Sequence, residues 1–137
     1  MYEIVVVEDD PAVAVVVAEA LSTCANVQCA ASTDQAIDLL SSRPWSLAVL
    51  DVMLNDGSGL ELAEIAARNN TPVMLIAGHP KAMEALEKYG FPHMAKPFAM
   101  RDFVNNARLL IAQRDDAVAA VKRAAATMRE ETGDLWC

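Results

Sequence analysis

Apolar residues along the chain come in two alternating textures: short, mostly uncharged β-branched runs, and longer stretches where apolar side chains return every three or four positions. The short runs predict strands over Ile4–Val7, Val27–Ala31, Leu47–Leu50, Val73–Ala77 and His93–Ala95. Each is followed by a helical pattern, so the order reads as five βα units around a parallel sheet buried on both faces.

The helix boundaries are marked by local chemistry. Pro11 suits a first helical turn, and Val13, Val16, Val17, Ala20 and Leu21 give one apolar stripe behind it. Ser32 or Thr33 caps the second helix, which stops near Arg43-Pro44. Ser58 caps the third, which carries Leu60, Leu62, Ile65 and Ala66 up to Asn69-Asn70. The fourth, about Lys81–Tyr89, follows Pro80 and ends at Gly90, and the fifth begins near Ala99. Beyond residue 113, apolar or small residues at Val104, Ala107, Ile111, Val118, Val121, Ala125 and Met128 follow near-heptad steps that Arg114 interrupts. Either the fifth helix runs on, or Asp115 and Asp116 cap a separate one. The expected division is a domain over 1–113 and a helical extension or tail over 114–137, which packs on its own domain or forms a dimer seam.

Composition narrows the function. The chain has 137 residues and a formal charge of -8; residues 1–99 hold 13 acidic and 5 basic side chains, and residues 100–137 hold six of each. An acidic body without a basic face or recognition helix disfavours direct DNA binding. Cys24, Cys29 and Cys137 form no C-x-x-C pair and suggest no disulfide framework. No basic leader precedes Ile4, and the apolar stretch at 12–18 is too short to span a bilayer, so the expectation is a cytoplasmic protein without membrane contact.

Charged residues concentrate where parallel sheets place ligands, at strand carboxyl ends. Glu8-Asp9-Asp10 follow the first strand and Asp51 the third. Converging carboxylates repel and resist desolvation, which a divalent cation relieves; oxygen ligands without His or Cys point to Mg2+. Lys96, at the end of the fifth strand, adds a fixed positive charge. A lone carboxylate beside a cation and a lysine suits phosphoryl transfer, with Asp51 as nucleophile. The same acidic run could instead serve as a helix-capping cluster. Gly57 and Gly59 lack the spacing and the lysine-serine ending of a nucleotide loop.

Val5-Val6-Val7-Glu8-Asp9-Asp10-Pro11, then Leu50-Asp51-Val52-Met53-Leu54 with Gly57 and Gly59, and finally Lys96-Pro97-Phe98, resemble the receiver domain of two-component response regulators over residues 1 to about 113. The resemblance implies a flavodoxin-like (βα)5 doubly wound sheet with strand order 2-1-3-4-5, here with an extended C-terminal helix. It implies that Asp51 is the phosphoacceptor, that Asp9 binds Mg2+ directly and Glu8 mostly through a water, that the Met53 carbonyl completes the protein ligands, and that Lys96 contacts the phosphoryl group. A cis Lys96-Pro97 bond is the family's habit. The implied partners are a histidine kinase or histidine phosphotransfer protein and a downstream protein target. A homodimer through the fourth helix, fifth strand, fifth helix and C-terminal helix is a further expectation.

Two positions depart from that pattern. The family places Thr or Ser at the end of the fourth strand, and the resemblance implies that its hydroxyl binds the phosphoryl group and draws the next loop inward as a switch; Ala77 stands there, and no Ser or Thr occurs between Thr71 and Thr127. His93 holds the place of an aromatic switch residue and is either such a switch or an ordinary half-buried histidine at a strand start. Asn55 replaces a frequent proline, which the sequence reads only as a looser loop. The leading function is therefore a phosphorylated regulator acting through protein contacts rather than an enzyme. The alternative is a pseudo-receiver that phosphate does not switch. A haloacid-dehalogenase type of phosphatase is discounted, because the second acid it needs two residues after the nucleophile is here Met53.

Overall fold

The computed structural model describes residues 1–133. The chain runs β1 (Tyr2–Val7), α1 (Pro11–Leu21), β2 (Ala25–Ala30), α2 (Thr33–Ser42), β3 (Leu47–Asp51), a two-residue hairpin of β4 (Met53–Leu54) and β5 (Gly57–Ser58), α3 (Gly59–Arg68), β6 (Val73–Ala77), α4 (Pro80–Tyr89), β7 (His93–Ala95), α5 (Met100–Ala112) and α6 (Arg114–Thr132). The five main strands form one parallel sheet in the order β2-β1-β3-β6-β7. With the small hairpin left out of the count, this is the expected 2-1-3-4-5 order.

β1, β3 and β6 occupy the centre of the sheet, and residues 4–7, 47–51 and 73–77 are buried throughout. Side chains alternate between two cores. Ile4, Val6, Leu47, Val49, Met74 and Ile76 pack with α1 and α5. Val5, Val7, Ala48, Leu50, Val73 and Leu75 pack with α2, α3, α4 and α6. Charge-free runs in the sequence therefore mark strands with no solvent-facing side.

The caps follow the local chemistry. Ser32 accepts from the Gln35 amide and Ser58 from the Leu60 amide, while Gly90 closes α4 at φ 81°. Asp10 caps α1 by accepting from the Ala12 amide. The cap of α4 is His79, through Nδ1. The α1 stripe is narrower than expected: Val17 and Leu21 are buried, but Val16 is 47% exposed.

The tail forms a separate helix, and Asp115 and Asp116 do not cap it. Gln113 is the capping residue, without a side-chain bond, and the two aspartates lie in the first turn. The near-heptad stripe divides there: Val104, Ala107 and Ile111 face the α1/α5 core, whereas Val118, Val121, Ala125 and Met128 enter the other. The chain changes sides beside Tyr2 and Ser46, at the amino edge of the sheet, and α6 then lies against α3, α4 and β6. Glu131 accepts from the Tyr89 hydroxyl at 2.7 Å and pairs with Lys88, and Arg129 donates to Glu64 at 2.7 Å. The apolar stripe of α6 is thus covered by the chain's own core. Cys137 and the other residues beyond 133 lie outside the described residues. Among those described, no helix is long and apolar enough to cross a membrane.

Candidate functional site

Strand order reverses between β1 and β3, and both strands end in carboxylates at that crevice. One carboxylate oxygen from each of Glu8, Asp9 and Asp51 lies within 4.8 Å of the others. Lys96 crosses from the end of β7 and holds two of them, with Nζ 2.8 Å from Asp51 Oδ2 and 3.0 Å from Glu8 Oε1. Its backbone is anchored where its amide donates to the Ala77 carbonyl at 2.8 Å, and the Lys96-Pro97 bond is cis. The other oxygen of Asp51, Oδ1, accepts from the Met53 amide at 2.9 Å.

Burial sets the electrostatics. Glu8 is 3% exposed and Asp51 6%. Burial, and next the close approach of Asp51, push the Glu8 carboxyl up to about 8 against the pull of Lys96. Burial works against charge on Lys96, but its bonds to Asp51 and Glu8 outweigh this, and its pKa rises. Glu8 Oε2 is buried without a hydrogen-bond partner. A buried carboxylate oxygen without a partner carries a desolvation cost that a cation would offset.

The three acidic residues are not one functional unit. Glu8 and Asp9 face the site, whereas Asp10 serves α1 as its cap. Ala77 sits at the end of β6, fully buried, opposite Ala95. His93 stands apart from the acidic cluster: it pairs with Leu75 at the start of β7, is half-buried, and sets Nδ1 2.7 Å from the Phe91 carbonyl.

Sequence reasoning missed three supporting residues. The Asn55 amide donates to Asp9 Oδ2 at 2.9 Å, a bond proline could not make. The residue read as a loosened loop therefore holds a site carboxylate. Asp56 accepts from the Thr33 amide and hydroxyl, tying the hairpin to the start of α2. Gly59 lies so close to the backbone of Asp51 that a Cβ there would fall on the Asp51 carbonyl oxygen. The glycine was visible in the sequence, but its neighbour was not.

These features define a doubly wound α/β domain with an acidic site and one lysine at its switch point. The family model of the response regulator receiver domain matches residues 4–108, and the chain belongs to that family. It is 30% identical over 120 residues to the regulatory protein VirG of Rhizobium rhizogenes, covering 83% of this chain and 50% of VirG; the chain therefore spans about half the length of that relative. Among solved structures, a CheY-like receiver domain protein of Methanospirillum hungatei superposes with a TM-score of 0.74 at 21% identity, covering 85% of this chain and 98% of that one. Response regulator TrrA of Thermotoga maritima, in complex with Mg2+-BeF, superposes at 0.71 with 23% identity, over 80% of this chain and 99% of its own.

Proposed function

We propose that this chain is a phosphoacceptor receiver: Asp51 takes a phosphoryl group with Mg2+ bound, and the product is read through protein contacts. The observation that carries this reading is the Asp51 carboxylate, held by the Met53 amide and the Lys96 ammonium within reach of Glu8 and Asp9. The oxygen-only donor set and the orphaned Glu8 Oε2 fit a hard divalent cation, and the Mg2+ of the TrrA complex supports that choice. Glu8, Asp9, Asp51 and the Met53 carbonyl would hold it, Glu8 mostly through a water. When bound, Mg2+ supplies positive charge against the phosphoryl oxygens.

A carboxylate oxygen of Asp51 attacks phosphorus; an O–P bond forms, and the donor's bond to phosphorus breaks with its electron pair leaving on the donor, which gains a proton. Lys96 keeps its charge and moves one hydrogen bond from the carboxylate to a phosphoryl oxygen. The donor is a phosphohistidine of a kinase or phosphotransfer protein. The α4, β7 and α5 face meets the downstream target or a second copy. The receiver pattern is proposed to end at residue 113, with α6 an added element packed into the same core.

A second reading, a binding module that phosphate does not switch, is favoured by Ala77. It is buried at the end of β6 and offers no hydroxyl.

Intact-mass measurement with acetyl phosphate and Mg2+ tests the first reading. One phosphoryl adduct on wild type, absent from Asp51→Asn and from chelated protein, is the expected result. No adduct with either acetyl phosphate or a cognate kinase gives the second reading the field. If an adduct forms, amide exchange of residues 77–96 distinguishes the two, because the unswitched module shows no difference between phosphorylated and free protein.

A further inference from the structure

Away from the acidic site, α3 and α6 gather three cations around one groove of about 330 Å3. Arg68 lies in the last turn of α3. Lys122 and Arg129 lie seven residues apart on α6, two turns along one face, with Ala126 between them as a small lining residue. Glu64 is the one carboxylate in the lining, and Arg129 donates to it at 2.7 Å. Among the described residues, neither Arg68 nor Lys122 has an ion-pair partner. In a chain of formal charge -8, this lining carries two uncompensated positive charges. Lys122 and Arg129 lie beyond residue 108, where the match to the family ends, so the groove is not part of the shared receiver pattern.

We propose that this groove docks an acidic segment of a partner protein, whose carboxylates pair with Arg68 and Lys122 and compete with Glu64 for Arg129. Charge complementarity is the first argument. The Glu64 pair is the second, since it places a carboxylate on Arg129 within the groove. The third is the backbone. At the carboxyl end of α3 the amides of Asn69, Asn70 and Thr71 are spent on the Ile65, Ala66 and Ala67 carbonyls, and the mid-body amides of α6 are engaged in its own helix. Without an amide cradle the groove is poorly suited to a compact phosphate. Seven residues of helix rise about 10 Å, the reach of roughly three residues of extended chain. An acidic segment laid along α6 therefore meets both of its cations.

The test uses the full chain, a labelled Glu-Glu-Ser-Glu-Glu peptide, its Gln counterpart and inorganic phosphate, read by fluorescence anisotropy and amide chemical shifts. The acidic peptide is expected to bind, to shift residues 64–68 and 122–129, and to weaken as salt rises. The Arg68→Gln, Lys122→Gln double variant should lose about tenfold in affinity, roughly what two partly exposed pairs contribute. Both side chains are exposed, so the variant keeps the wild-type circular dichroism. Asp51→Asn should bind as wild type does, which separates this proposal from the phosphoacceptor reading. Three outcomes overturn it: no binding of the acidic peptide, equal affinity for the double variant, or shifts reproduced by phosphate and not by the peptide.

Discussion

A carboxyl group buried beside another tends to keep its proton, and Glu8 is so placed. Its pKa stands at about 8 in the folded protein against an ordinary 4.5. Between those values the folded state binds the proton that the unfolded state has released, so stability falls as pH rises through that window. Chelated protein should therefore show a melting temperature that declines from about pH 5 to pH 8. Glu8→Gln should flatten the decline; an equal slope in that variant would mean another group is responsible. Gly59 acts through shape rather than charge. Because a Cβ there meets the Asp51 carbonyl, Gly59→Ala should cost ~1–3 kcal/mol in urea unfolding and disturb the Asp51 loop. Stability within ~0.5 kcal/mol of wild type would show that the loop yields easily.

Among the elements, α6 adds most to the family pattern. Val118, Val121, Ala124, Ala125 and Met128 are each no more than 4% exposed, so the helix belongs to the core rather than to a solvated tail. Local propensity would not hold it in place, since most helix stability comes from packing an apolar face. Met128→Ala should accordingly destabilise the whole protein by ~2–5 kcal/mol in a single cooperative transition. A change confined to α6, with the rest unfolding as before, would mark it as an independent appendage. The polar ties to α3 and α4 are partly exposed and add register more than stability.

For the whole molecule, the acidic site exists only because the sheet brings three strand ends together. The Lys96 contacts to Glu8 and Asp51 span 88 and 45 residues of chain. A cation bound there is bound by the folded state alone, so Mg2+ at a hundred times its Kd should add ~2.7 kcal/mol to stability in urea unfolding. Asp9→Asn should remove much of that gain. An unfolding curve unmoved by saturating Mg2+ would rule out the proposed cation site.

The βα alternation, most caps and the charged residues at three strand carboxyl ends were legible in the sequence because each depends on local periodicity or on residue types a few positions apart. Glu8, Asp9, Asp51 and Lys96 could be assigned to one edge because a parallel sheet puts every strand's carboxyl end on the same side. Tertiary structure alone decided the rest. Asn55 bonds to Asp9 across 46 residues, Gly59 is required by a backbone it meets only after folding, and Asp10 turns to its helix while its neighbours turn to the site. The near-heptad stripe could not show which core its second half would enter, because the turn at Gln113 carries the chain from one face of the sheet to the other. Periodicity records that a face will be buried; what buries it is settled by the surfaces the folded chain leaves open.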